Sequence, residues 1–216
     1  MDKFETIENL VKAGFDVNFP LSEHFGHRPL HIAAKDGSKA MILKLIELGA
    51  EVDGHNDDNV NALMWAAYDG RFENVEILLE KGANPNVIGT MYPYQCDCCP
   101  EEYTPLLAAF DSNNTQIIIK LLHAGADSNM PLHCNVLQKG VNQDSKELIL
   151  ELIQHGADVI SIDCCNNTPL MRPAYLGQIE IVILLLEKGA DPKAGSGIDL
   201  SRVESEEIRN LLKKYE

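Results

Sequence analysis

A Gly-Ala pair recurs along the 216-residue chain at Gly49, Gly82, Gly125, Gly156 and Gly189, after steps of 33, 43, 31 and 33 residues. The text before each pair is also similar. NALMWAAYDGRFENVEILLEKGANPNV occupies 61–87, and RPLHIAAKDGSKAMILKLIELGAEVD occupies 28–53. TPLLAAFDSNNTQIIIKLLHAGADSN covers 104–129, and TPLMRPAYLGQIEIVILLLEKGADPK covers 168–193. Each stretch reads as a short helix, a tight turn, a second helix and a loop that opens on glycine. Self-similarity at a fixed period constrains the fold more than any single motif, because it demands units that stack.

Local chemistry agrees with that reading. Thr104 and Thr168 are of the type that caps a helix by accepting a backbone N–H. Pro105 and Pro169 would then take the first helical position, where a missing N–H costs nothing. The recurrent glycines suit the left-handed residue just past a helix end. The second helices, such as IEIVILLLE at 179–187, are apolar on more than one side and need neighbours on both flanks. One such unit cannot bury this surface, whereas a stack can.

PLHIAA at 29–34, TPL at Thr104 and Thr168, and GAD at Gly125, Gly156 and Gly189 carry a resemblance to the ankyrin repeat family. The resemblance covers nearly the whole chain and implies an all-α solenoid of stacked helix-turn-helix units with finger loops. The repeats fall at about 25–53, 59–87, 102–129, 133–159 and 166–193 within a single domain. A half repeat at 1–18 would open the stack, and a short repeat at 197–216 would close it. The 43-residue step marks an insertion at about 88–102, carrying Tyr92, Tyr94 and three cysteines. The unit closed by Gly156 departs from the pattern. Asn135, Val136, Leu137 and Gln138 replace Thr-Pro-Leu-His, and Gly140 and Val141 replace Ala-Ala, so this unit is expected to be the most distorted.

Composition narrows the function. A net charge of −15 argues against nucleic acid, which requires a basic footprint. It favours solubility and a partner with a basic surface. No window approaches the ~20 apolar residues of a membrane span. The first residues, MDKFETIENL, are acidic and amphipathic, unlike a secretory leader, so a cytoplasmic setting is expected. No P-loop, dinucleotide fingerprint, zinc-protease helix or nucleophile elbow occurs, and neither an enzyme nor a cofactor is expected.

Two sets of residues stand out. Cys96, Cys98, Cys99, Cys134, Cys164 and Cys165 all fall in three consecutive finger loops, a placement that raises a zinc site as the alternative reading. The C-x-C-C spacing does not match common zinc knuckles. His24, His27 and His31 offer a second spacing, but His31 belongs to the PLH motif, whose role is a structural hydrogen bond. The other set lies where the stack leaves the residue type open. The family binds protein partners with its fingers and with exposed positions of the first helices. Those positions here include Trp65, Tyr68, Arg172 and Tyr175, which are residue types enriched in binding hot spots. Together with Tyr92 and Tyr94 they form the expected contact surface for another protein. Adaptor and bacterial-effector settings are both compatible with this reading. Asn18, Asn86 and Asn129 also resemble positions that an asparagine hydroxylase modifies.

Overall fold

The computed structural model describes residues 12–20, 26–90, 102–130, 136–163 and 165–215. They fall into two compact units, one ending at Ala126 and the other starting at Asp127. Among the described residues no helix is long and apolar enough to cross a membrane.

Among the described residues the first unit holds three helix pairs. These are α1 (Pro29–Asp36) with α2 (Lys39–Glu47), α3 (Ala62–Tyr68) with α4 (Phe72–Glu80), and α5 (Pro105–Asp111) with α6 (Thr115–His123). First helices pack in a row, α1 on α3 on α5, and second helices form a parallel row, α2 on α4 on α6. The seams explain the composition. Ala33, Ala34, Ala66, Ala67 and Ala109 are buried where first helices approach closely. Ile42, Leu45, Val75, Leu78, Ile117, Ile118 and Leu121 are buried between the two rows. Fully burying a Leu or Ile side chain contributes about 1.5–3 kcal/mol, so each pair gains most of its stability from the next.

Two of the first helices start at side-chain caps. Asn61 accepts the Met64 N–H at 3.0 Å, and Thr104 accepts the Leu107 N–H at 3.2 Å. Gly82 and Gly125 have φ of 87° and 85°. A Cβ there would meet no atom within 4 Å. The left-handed backbone, not crowding, therefore calls for glycine.

The insertion has an ordered base. Strand β1 (Gly89–Thr90) pairs antiparallel with β2 (Glu102–Tyr103). This base is fastened to the preceding finger loop. Thr90 N–H donates to the Asp58 carbonyl at 2.7 Å, and the Asn59 side chain donates to the Ile88 carbonyl. A Cβ on Gly89 would stand 2.6 Å from the Asn59 carbonyl oxygen, so only glycine permits the approach.

The second unit contains α7 (Val136–Asn142), α8 (Lys146–Gln154), α9 (Met171–Leu176), α10 (Ile179–Glu187) and α11 (Glu206–Leu212). A 3-10 turn at Leu200–Arg202 precedes α11. Gly140 lies buried inside α7, and the helix forms across it because Val136, Leu137 and Val141 are buried beside it. Gln138, in the slot of the motif histidine, donates from Nε2 to the Asn167 carbonyl at 2.7 Å.

One helix start differs from expectation. Thr168 does not cap, and Pro169 is not the first helical residue: α9 begins at Met171. Pro173 supplies the reason. It has no N–H for the carbonyl four residues back, and its ring crowds that carbonyl, which belongs to Pro169. The first turn cannot close as an α-turn, and Met171 N–H bonds the Thr168 carbonyl instead, at 3.2 Å. The Thr168 hydroxyl is left buried without a partner.

Candidate protein-binding face

Helix α3 is buried at Leu63, Met64, Ala66 and Ala67, while Trp65 and Tyr68 keep part of their surface exposed. The two rings meet edge to face, centroids 6.3 Å apart at 87°. They pack with Tyr103 of β2 against buried Val60 and Met64. Neighbouring repeats of the same compact unit add to the cluster. The His27 ring meets Trp65 edge to face at 5.1 Å, and the Lys35 ammonium lies 5.1 Å from the Trp65 ring centroid. Tyr103 donates its hydroxyl proton to the Asp111 carboxylate on α5. Four sequence segments, at 27–35, 65–68, 103 and 111, thus converge on one aromatic patch within the first unit.

The patch rests on a fixed frame. Arg71 Nε–H donates to the Lys35 carbonyl at 3.0 Å, and Asn74 Nδ2 donates to the carbonyls of Ala34 and Gly37 at 3.0 and 3.1 Å. These bonds satisfy the end of α1. They hold Lys35 in place relative to α3 and α4. Beneath, the buried His31 ring accepts the Arg28 N–H on Nδ1 at 2.8 Å and approaches the Gly54 carbonyl with Nε2, also at 2.8 Å. That assignment makes Nε2 the protonated nitrogen and the ring neutral. Burial pushes its pKa down to about 4, with His27, Arg28 and His55 acting in the same direction. This bears out the structural hydrogen bond expected of His31.

Electrostatics on the patch are mixed. Burial raises the pKa of Asp69 above the ordinary carboxylate value, while Lys35 pulls it the other way and Asp36 adds to the rise. The Trp65 indole Nε1–H is buried and has no acceptor. An unsatisfied donor of this kind costs about 1–3 kcal/mol, so its persistence calls for an explanation.

In the second unit Arg172 is exposed on α9 and Tyr175 is half-buried. The Tyr175 hydroxyl accepts the Asp199 N–H at 3.0 Å, and the Arg202 guanidinium lies 4.7 Å from its ring centroid. Tyr175 thereby ties α9 to the 3-10 turn. Tyr92, Tyr94, Cys96, Cys98, Cys99, Cys134 and Cys164 lie outside the described residues, as does His24; Cys165 is exposed.

Asn18, Asn86 and Asn129 act between successive loops. Their side-chain amides donate to the carbonyls of Gly49, Gly125 and Gly156. Asn18 and Asn129 also accept the N–H of Glu51 and Asp158, both at 2.9 Å. Asp53 stands where an asparagine would serve the next step. It accepts the Asn84 N–H at 2.8 Å and takes a second hydrogen from Asn61 Nδ2 at 3.3 Å.

A family model described as ankyrin repeats in three copies matches residues 2–88 and 106–195, and a second ankyrin model matches 63–122. The chain belongs to the ankyrin repeat family. Its ankyrin relatives include mask-1, an ankyrin repeat and KH domain-containing protein of Caenorhabditis elegans, 26% identical over 88% of this chain and 7% of that protein. The B-cell lymphoma 3 protein homolog of Mus musculus is 27% identical over 87% of this chain and 42% of that protein. The chain therefore spans less than half the length of these curated relatives. The crystal structure of the ankyrin repeat domain of Bcl-3, described as a unique member of the IkappaB protein family, aligns with a TM-score of 0.75. It shares 20% identity over 97% of this chain and 91% of that one. That likeness is one of fold, an all-α ankyrin array, and ankyrin repeats are in general protein-interaction modules.

Proposed function

We propose that this ankyrin array binds another protein without catalysis, using the Trp65–Tyr68 face of its first unit as the principal contact. Tyr92, Tyr94, Arg172 and Tyr175 are the further candidate contacts. One observation carries the reading: two large aromatics remain partly exposed on a helix whose other central residues are all buried. The frame around them is fixed by backbone-directed hydrogen bonds, so little entropy is lost when a partner docks. The partner proposed has a basic surface, in keeping with a net charge of −15. The setting proposed is the cytoplasm, where exposed thiols such as Cys165 stay reduced.

A capture experiment tests this. Tyr68→Ala and Trp65→Ala are compared with Glu187→Ala, which alters an exposed residue of the second unit. Truncating a hot-spot aromatic costs about 2 kcal/mol, or roughly thirtyfold in affinity. Partner capture should fall by that order for the two aromatic variants and hold for Glu187→Ala, with melting temperatures tracked in parallel. Undiminished capture by folded Tyr68→Ala protein would remove the face from consideration.

A further inference from the structure

We infer that the Trp65 ring is a seat for a lysine or arginine side chain of the partner, and that Lys35 occupies this seat in the free protein. The inference rests on the binding face proposed above and names the chemistry of its central contact. Lys35 Nζ lies within the ~6 Å range of a cation–π contact, at 5.1 Å from the ring centroid. Among the described residues no carboxylate forms an ion pair with it. Its long stem leaves it able to swing to solvent at little cost.

A second, independent feature points to the same occupant. The Nε1–H of the same Trp65 side chain is buried and has no acceptor. Lysine is a donor only and cannot satisfy it. A peptide brings both complements: a cationic side chain for the ring and a backbone carbonyl for the indole N–H. Asp69, whose carboxyl interacts with both Lys35 and Asp36, supplies a field that favours an incoming cation. A neutral or acidic segment would displace Lys35 and put nothing in its place over the ring. The seat therefore selects ammonium or guanidinium groups carried on a peptide backbone.

Trp65 is the sole tryptophan, so its fluorescence reports on the seat directly. The probe is a capped hexalysine peptide, titrated by calorimetry and by fluorescence. Lys35→Ala should bind it roughly fivefold more tightly than the parent, the worth of a vacated cation–π seat. Lys39→Ala removes the same charge from the exposed start of α2 and should change affinity by less than about twofold. Adding Trp65→Phe to Lys35→Ala keeps an aromatic ring but weakens its pull on a cation, and should return most of the gain, with circular dichroism confirming the fold. Equal effects of Lys35→Ala and Lys39→Ala, or an undiminished gain in the double variant, would overturn the seat. If Lys35→Ala fails this test while Tyr68→Ala still abolishes partner capture, the seat falls and the face stands. If Tyr68→Ala also leaves capture intact, both fall.

Discussion

Single residues in this chain hold their neighbours in ways that pH can expose. His31 is 1% exposed, bonded through both ring nitrogens, and neutral. Its pKa of about 4 lies below the 6.5 of a solvated histidine. Between those values the unfolded chain binds a proton that the folded chain does not. Stability is therefore present above pH 6.5, declines as pH falls through the window, and levels off below about 4. The loss attached to this one residue is on the order of 3 kcal/mol. Urea unfolding of the parent and of His31→Gln, measured from pH 7 to pH 4, should show the parent's advantage shrinking across the window. A constant difference would mean that the ring is not the group responsible. Glutamine is a suitable replacement because Gln138 already makes a comparable bond to a loop carbonyl in the second unit. Asn61 shows the same economy of function. Thr104, the equivalent residue in the next repeat, caps with a hydroxyl, but Asn61 caps with Oδ1 and still has an amide to donate to Asp53. The asparagine is matched to the aspartate eight residues earlier.

At the scale of the element, two threonines with the same motif have opposite roles. Thr104 Oγ1 accepts the Leu107 N–H and starts α5, whereas the Thr168 hydroxyl is buried with no partner ahead of a helix that starts late. Thr104→Val should destabilise by about 1 kcal/mol through loss of the cap. Thr168→Val removes an unsatisfied hydroxyl with little change of shape and should be neutral or stabilising by about 1 kcal/mol. Denaturant midpoints of the two variants against the parent decide the matter, and a comparable loss in both would show that Thr168 does cap in solution. This contrast marks how far local chemistry could be read from sequence. Caps at Asn61 and Thr104 and the left-handed glycines follow from residue type alone. Thr168 required weighing Pro173, whose effect acts one turn upstream. Asn113 and Asp144, with φ of 53° each, fill the turn between the two helices of a pair, where Gly70 and Gly177 serve elsewhere. Residue type only weakly signals that role.

For the molecule as a whole, the repeat made the stacking legible, but the candidate face was only partly so. Trp65 and Tyr68 stood out because they occupy positions that stacking leaves open. His27, Lys35 and Tyr103 join them from other segments of the same compact unit, and pairwise proximity across a stack leaves no mark in a single sequence. The one available signal for Tyr103 is its place immediately before the Thr104 cap, where the insertion rejoins the repeat. Charge is the property that is truly global. At −15 overall, the chain should draw a basic partner from beyond contact range and hold it by contacts at close range. Those two effects separate kinetically, because long-range attraction is screened over about 10 Å at 0.1 M salt while desolvated contacts are not. Stopped-flow association with the captured partner should slow by about tenfold or more between low and high salt. Dissociation should change far less, and Tyr68→Ala should do the reverse, accelerating dissociation with little effect on association. An association rate indifferent to salt would assign the acidic residues to solubility alone, and the partner would then be selected by the aromatic patch without electrostatic steering.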